Sequence, residues 1–122
     1  MKSPSLLASF RFAFEGIGYA FRTQRNFKIH CLVTVCVAIA GLALQVSLEQ
    51  WALLALAVGL VFQAELANTA IESITDRASP EHHPLAKVTK DCAAAGVMVT
   101  ALVAAIVGAL ILGPRILALV TR

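Results

Sequence analysis

Four polar side chains recur along one stretch of the chain, at the end of a run that is otherwise apolar. Glu65, Asn68, Glu72 and Asp76 lie three or four residues apart. At about 100° per residue, a helix would place them within an arc of about 80° on one face, over about 16 Å of rise. Ionisable groups at membrane depth are costly and mark functional sites. The alternative interpretation is that these four residues form the solvated end of a helix. We therefore predict that these four residues, the acidic stripe, form a functional site.

The chemistry that fits the acidic stripe is the binding of magnesium and phosphate. Mg²⁺ takes one or two carboxylates together with phosphate oxygens, and Lys90 of the later Lys90-Asp91 pair can neutralise phosphate charge. A carboxylate that is not engaged by the metal can accept the proton of an attacking hydroxyl, which is the general-base role in phosphoryl transfer. The sequence contains no glycine-rich phosphate loop and no strand pattern that would support one.

The chain that must position these residues is too apolar for a small soluble domain. It has 122 residues, of which 59% are hydrophobic, and a mean hydropathy of +0.82. Its apolar residues form blocks at 32–48, 51–64 and 92–113. Each block can supply the roughly 20 residues of a spanning helix, but the second does so only if part of the acidic stripe lies inside the membrane. We predict an all-α integral membrane protein, a single domain over 1–122 with transmembrane helices at about 28–48, 51–75 and 88–113.

An amphipathic helix is predicted before the first span, at about residues 5–23. Apolar residues recur at helical spacing from Leu6 to Phe21, while Arg11, Glu15 and Arg22 gather on an adjoining side. Such a helix lies along the membrane surface, and the alternative is that it packs on a neighbouring helix. Three spans offer little interior, so we expect an oligomer to shield the acids from lipid.

The distribution of Lys and Arg predicts the topology. The loop between the first two spans contains neither residue, whereas both flanking regions are basic, through Lys2, Arg11, Arg22, Arg25 and Lys28 on one side and Arg77, Lys87 and Lys90 on the other. The positive-inside rule therefore puts the N-terminus and the second connection on the cytoplasmic side of the inner membrane, against the weaker signal of Arg115 and Arg122. The acidic stripe then approaches the compartment that supplies nucleoside triphosphate and magnesium.

Other classes of protein fit the sequence less well. The net charge of +3 comes from basic residues that flank apolar spans, not from a dense patch, so a nucleic-acid partner is excluded. A small oligomeric channel or transporter component is an alternative, but a cation path needs polar groups along its length and the third span has no charge. The three cysteines lack CxxC spacing, and we expect them to be small buried apolar residues.

The same residues resemble the signature of a known family. Glu65-Leu-Ala-Asn68-Thr-Ala-Ile-Glu72, followed by Asp76-Arg77, His83 and Lys90-Asp91, resembles the small bacterial membrane-embedded diacylglycerol kinase and undecaprenol kinase family. The resemblance extends into residues 9–17 and 25–30, which are more similar to the undecaprenol-kinase branch. It implies a homotrimer of subunits with three transmembrane helices and a surface helix, and active sites between subunits at the cytoplasmic interface. It also implies MgATP-dependent phosphorylation of a lipid hydroxyl.

The resemblance also implies a role for each matched residue. Glu65 takes the general-base position, Glu72 the metal position and Asn68 a nearby polar position in the site. Gln24 stands where many members have a glutamate that helps to hold metal, and a neutral amide can still offer an oxygen to the ion. The remaining positions that would contact nucleotide are Asp76, Lys90, Asp91, Arg25, Gln24 and His83, although His83 also fits a hydrated loop residue.

Two questions stay open at the level of sequence. The expected lipid substrate is undecaprenol, with diacylglycerol as the near alternative, because both present a primary hydroxyl at the interface. His30 and His82 are expected to have no role in the site. His82 and His83 are adjacent and therefore lack the helical pair spacing of a zinc motif.

Overall fold

The computed structural model describes residues 5–122, which form four α-helices joined by short turns. Helix α1 spans Leu6–Thr23, α2 Arg25–Ala43, α3 Leu48–Ala78 and α4 Pro84–Val120, and the described residues contain no strand. Helices α2, α3 and α4 are each long and apolar enough to cross a membrane. The prediction of an all-α membrane protein with three spanning helices is confirmed. Residues 1–4, including Lys2 of the topology argument, lie outside the described residues.

Helix α1 is amphipathic, and its apolar residues face outward. Ser5 caps its first turn by accepting a hydrogen bond from the backbone N–H of Ala8 at 3.2 Å. Leu6, Leu7 and Phe14 are each at least 70% exposed, whereas Ala20 is fully buried where the helix meets the rest of the chain. An outward apolar face of this kind suits a helix that lies in the membrane interface.

The turn between α2 and α3 is set by local backbone chemistry. The first span was predicted to reach residue 48, but α2 ends at Ala43, and Gln45 then has a φ of 53° in the left-handed region, which cannot continue a right-handed helix. Ser47 starts α3 with a capping box: its hydroxyl accepts from the N–H of Gln50 at 3.2 Å, and the Gln50 side chain accepts from the N–H of Ser47 at 3.0 Å.

Helix α4 extends beyond the predicted third span at both ends. It begins at Pro84, before the predicted start at 88. Proline suits the first position of a helix because the backbone N–H that it lacks would have no partner in the helix. It also continues through Pro114 to Val120, past the predicted end at 113.

Helices α3 and α4 pack together along their length, and α2 packs on α3 while touching α4 more sparsely. Near the acidic stripe, the rings of Phe27 on α2 and Phe62 on α3 meet edge to face with centroids 5.1 Å apart. Phe27 is 3% exposed. An aromatic pair in this geometry adds specific packing to apolar burial, so it fixes how α2 lies against α3.

Arg115 joins the three spanning helices at the end opposite the acidic stripe. Its Nη1 donates to the carbonyl oxygens of Leu44 and Gln45 at 3.0 and 3.1 Å, and its Nη2 donates to Oε1 of Gln50 at 2.8 Å. Leu44 is the C-cap of α2 and Gln45 lies in the turn after it, so neither carbonyl has a partner within the helix and the guanidinium supplies one.

The outer surface of the spanning helices is apolar, as a lipid-facing surface requires. Leu42 and Leu110 are 71% and 72% exposed. The expectation that all three cysteines are buried is wrong, because Cys36 and Cys92 are exposed in the single chain and Cys31 is partly exposed. A cysteine is small and apolar enough to face lipid as readily as protein.

Candidate functional site

The most buried residue of the acidic stripe is Glu65, in the middle of α3. It is 2% exposed, which is exceptional for a carboxylate. Its Oε1 lies 3.2 Å from Nε2 of His30 on α2 but has no aligned hydrogen-bond partner. One turn further along, the hydroxyl of Thr69 donates to the backbone carbonyl of Glu65 at 2.8 Å, so no polar group of Thr69 competes for the carboxylate.

Asn68 and Glu72 form the next step of the site. Nδ2 of Asn68 donates to Oε1 of Glu72 at 3.3 Å, across one helical turn. This orientation leaves Oδ1 of Asn68 buried and without a hydrogen-bond partner. A buried oxygen is unfavourable unless it accepts a hydrogen bond or binds a cation. Oδ1 of Asn68 is therefore an acceptor available to a ligand, beside the half-buried Glu72 carboxylate.

The exposed end of the acidic stripe faces the start of α4. The Asp76 carboxylate on α3 pairs with the Lys90 ammonium on α4, and both side chains are substantially exposed. Lys87 pairs with Asp91 one turn apart on α4. These groups and the connection between the helices line a cavity of about 360 Å³, which includes Asp76, His83, Lys90 and Asp91 among its walls.

His83 has a structural part in this connection. Its Nδ1 accepts a hydrogen bond from the backbone N–H of Leu85 at 3.1 Å, so it caps the start of α4. The cap uses one ring nitrogen and leaves Nε2 for a ligand in the cavity.

Gln24 and Arg25 stand apart from these groups in the single chain. Gln24 forms the one-residue corner between α1 and α2, with φ −106° and ψ 112°, and its side chain does not cap α2. Arg25 is exposed in the first turn of α2, and neither residue lines the cavity at the start of α4. The structure therefore brings the predicted residues together in two groups along α3 and α4 and leaves this corner separate.

The burial of the acidic stripe differs from what we expected. Glu65 and Asn68 are already buried within one chain, by contact between its own helices, while Glu72 is half-buried and Asp76 is exposed. An oligomer is thus not needed to shield Glu65 from lipid. Only the end of the stripe nearest the cavity is open to a ligand or a second chain.

The oxygen groups at Asn68 and Glu72 fit a hard cation. Among residues 5–122, no three His, Cys, Asp or Glu side chains gather into a metal centre. Mg²⁺ needs no such cage, because it is commonly held by one or two carboxylates and completes its shell with phosphates and water. The Glu72 carboxylate and the unpaired Asn68 Oδ1 are donors of this kind.

His30 is the member of the site that the sequence did not predict. We expected it to have no role, but it is the residue on α2 that meets Glu65. The available signal was an ionisable side chain at the start of a long apolar run, which is a site for a functional group by default. Which residue it meets depends on the packing of α2 on α3.

Known proteins resemble this chain over a range that includes the site residues. The family model described as prokaryotic diacylglycerol kinase matches residues 11–112. The chain is 47% identical over 118 residues to a diacylglycerol kinase of Synechocystis sp., covering 96% of this chain and 67% of that protein. It is 42% identical over 108 residues to an undecaprenol kinase of Bacillus subtilis, covering 88% of each. It is 35% identical over 101 residues to a diacylglycerol kinase of Pseudomonas aeruginosa, covering 83% of this chain and 82% of that protein.

Proposed function

The chain belongs to the prokaryotic diacylglycerol kinase family, and we propose that it transfers the γ-phosphoryl group of MgATP to the hydroxyl of a membrane lipid. The observation that carries the proposal is the order of groups along α3. A buried carboxylate at Glu65 is followed by oxygen donors at Asn68 and Glu72, and then by the polar cavity beside Lys90. This order supports a lipid hydroxyl at membrane depth and a nucleotide at the exposed end.

In this reaction the protein supplies position, charge and one base. The hydroxyl oxygen of the lipid attacks the γ-phosphorus, the bond to the β-phosphate bridging oxygen breaks, and the hydroxyl proton passes to the Glu65 carboxylate. ADP and the phosphorylated lipid are the products. Lys90 exchanges its ion pair with Asp76 for a contact with phosphate, which is favourable because phosphate carries more charge.

Asn68 and Glu72 would hold the magnesium ion that accompanies the nucleotide. A magnesium ion held by these two residues would neutralise charge on the phosphates. Asn68 acts in two ways, because its amide N–H orients the Glu72 carboxylate while its Oδ1 stays free. Gln24 would add a neutral oxygen to the magnesium site only if the Gln24 of one subunit lies near the Glu72 of another.

The lipid is proposed to approach along α1. An apolar crevice of about 390 Å³ lies between α1 and α3, lined by residues that include Ile17, Leu66 and Ala70. Thr69, which lies one helical turn after Glu65 on the same face of α3, also lines the crevice, so a lipid chain bound there would lie about one turn from the base. The lining has no charged group that would favour a glycerol backbone over a polyprenyl chain.

Undecaprenol is the proposed substrate, with diacylglycerol as the alternative, and a transfer assay separates them. Purified protein in mixed micelles receives [γ-³²P]ATP with either undecaprenol or dioleoylglycerol. Label in the polyprenyl phosphate at a several-fold higher kcat/KM than in phosphatidic acid is the expected result. Preference for dioleoylglycerol would replace the substrate, and no label in either lipid would overturn the proposal of a lipid kinase.

A homotrimer with sites between subunits is the assembly we propose. The separation of Gln24 and Arg25 from the other site residues within one chain supports it, since a second subunit can bring this corner to the exposed end of the acidic stripe. Mixing Glu65→Gln subunits with Gln24→Leu subunits tests this, provided that each is inactive alone. Recovered activity in verified mixed oligomers is expected, and mixed oligomers without activity would place each site within one subunit.

The proposed location is the inner membrane, with the N-terminus and the site on the cytoplasmic side. Lys87 and Lys90 lie beside the cavity, and Arg25 and Lys28 begin the first spanning helix. All four basic residues are then on the side where ATP is made available.

A further inference from the structure

The contact between His30 and Glu65 joins two residues that stand on different helices. Nε2 of His30 lies 3.2 Å from Oε1 of Glu65, and their side chains are 22% and 2% exposed. Within residues 5–122, His30 is the one basic side chain at ion-pair distance from this carboxylate. The buried Glu65 oxygen therefore has a specific neighbour, although no lysine or arginine in the described part of the chain reaches it.

The packing around this contact holds the two helices in one register. Phe27 precedes His30 by three residues on α2, and Phe62 precedes Glu65 by three residues on α3. The two aromatic rings meet edge to face. Because α2 and α3 are joined by a short turn and run antiparallel, His30 and Glu65 form a second diagonal contact across the same pair of helices. His30 and Glu65 thus meet beside the helix contact that buries Phe27.

The imidazole can orient the carboxylate. A carboxylate in an apolar environment has few groups to fix its rotation, and a donor on one oxygen leaves the other oxygen facing a defined direction. Nε2 of His30 lies 3.2 Å from Oε1 without an aligned hydrogen bond in the unliganded chain. A proton on Nε2 makes His30 such a donor once substrate binding aligns the two groups, since catalytic hydrogen bonds commonly tighten in the substrate complex. Oε2 is then the oxygen left to take a proton from a substrate hydroxyl.

We infer that His30 is a positioning residue, which holds Glu65 through Nε2 so that Oε2 faces the lipid hydroxyl. This inference rests on the proposed role of Glu65 as the base. It assigns His30 no contact with lipid or nucleotide, so its effect is on the rate of the chemical step and not on the binding of either substrate.

Three substitutions at His30 separate positioning from packing. His30→Gln keeps an N–H near the place of Nε2, His30→Asn keeps one nearer the place of Nδ1, and His30→Leu keeps neither. We expect His30→Leu and His30→Asn to lower kcat about 10- to 100-fold, the effect of losing a hydrogen bond to a charged group, with both KM values nearly unchanged. His30→Gln should retain most of the turnover. Equal kcat for the Gln and Asn variants would overturn the proposal.

The stability of each variant in detergent is measured beside its turnover. If His30→Leu does not fold, the comparison of His30→Gln with His30→Asn still decides, since both are polar and of similar size. Loss of turnover that follows loss of folded protein in all three variants would overturn positioning in favour of packing.

A double substitution separates this inference from the proposed function. If His30 acts only through Glu65, the residual turnover of His30→Leu/Glu65→Gln should equal that of Glu65→Gln. A further loss in the double variant would overturn the inference. Full activity of Glu65→Gln would instead remove Glu65 as the base, while an inactive Glu65→Gln with an unaffected His30→Leu would overturn only the role of His30.

Discussion

Replacing Glu65 by glutamine is the sharpest test of the proposed reaction. The amide has the shape of the carboxylate but cannot accept the hydroxyl proton, and general-base catalysis typically contributes about 10²- to 10⁴-fold. This corresponds to about 3–5 kcal/mol in the activation free energy. We therefore expect kcat to fall by about 10²-fold or more, with nucleotide affinity unchanged, because Glu65 lies away from the cavity that carries Asp76 and Lys90.

The structure also predicts what Glu65→Gln does to stability. Glu65 is 2% exposed, and its Oε1 has no aligned hydrogen bond. Removing a buried charge that is incompletely paired does not weaken folding, so the thermal midpoint should stay the same or rise. A loss of activity together with a loss of folded protein would contradict this.

The assay measures single-turnover transfer of ³²P to lipid in mixed micelles, with nucleotide binding measured separately. Glu49→Gln is the matched control, since it makes the same chemical change in the first turn of the same helix, far from the site. The control should keep normal turnover. Glu65→Gln with turnover within a few-fold of the unmodified protein would refute the assignment of Glu65 as the base.

Three further substitutions test other parts of the molecule. Glu72→Gln should raise the Mg²⁺ concentration for half-maximal activity far more than the lipid KM, and an unchanged magnesium titration would remove Glu72 from the metal site. Lys90→Met should raise the KM for ATP about 10-fold or more in steady-state assays, because a charged contact to phosphate is lost; an unaltered KM would contradict that contact. Gly41→Ala should lower the stability of the protein by about 1–3 kcal/mol in thermal unfolding, since the added Cβ would lie 2.5 Å from the Trp51 ring. Gly18→Ala is the control, because a Cβ there has nothing within 4 Å, and equal thermal midpoints for the two variants would refute the packing argument.

The predictions from sequence succeeded where the relevant property is local. Long apolar blocks predict spanning helices because only a helix satisfies its own backbone groups in lipid. The apolar spacing from Leu6 to Phe21 predicts α1 for the same kind of reason, since a repeat near 3.6 residues places those side chains on one face. The spacing from Glu65 to Asp76 also puts these residues in one helix, α3.

The ends of the helices differ from the predicted limits of the spans. The end of α2 depends on the left-handed backbone of Gln45, and α4 begins early because Pro84 occupies its first turn. Hydropathy does not report either feature. It measures how apolar a block is, whereas a helix ends where the backbone conformation changes or a cap becomes available.

The sequence by itself determined the helical class, the apolar spans and the order of acidic residues along one helix face. Only the tertiary structure decided which groups meet: His30 with Glu65, Asp76 with Lys90, and Arg115 with the end of α2. The physical reason is that side-chain periodicity defines the face of a helix but not the neighbour that covers it. That neighbour depends on packing between helices that are distant in sequence, such as the contact of α2 with α3 that seats His30.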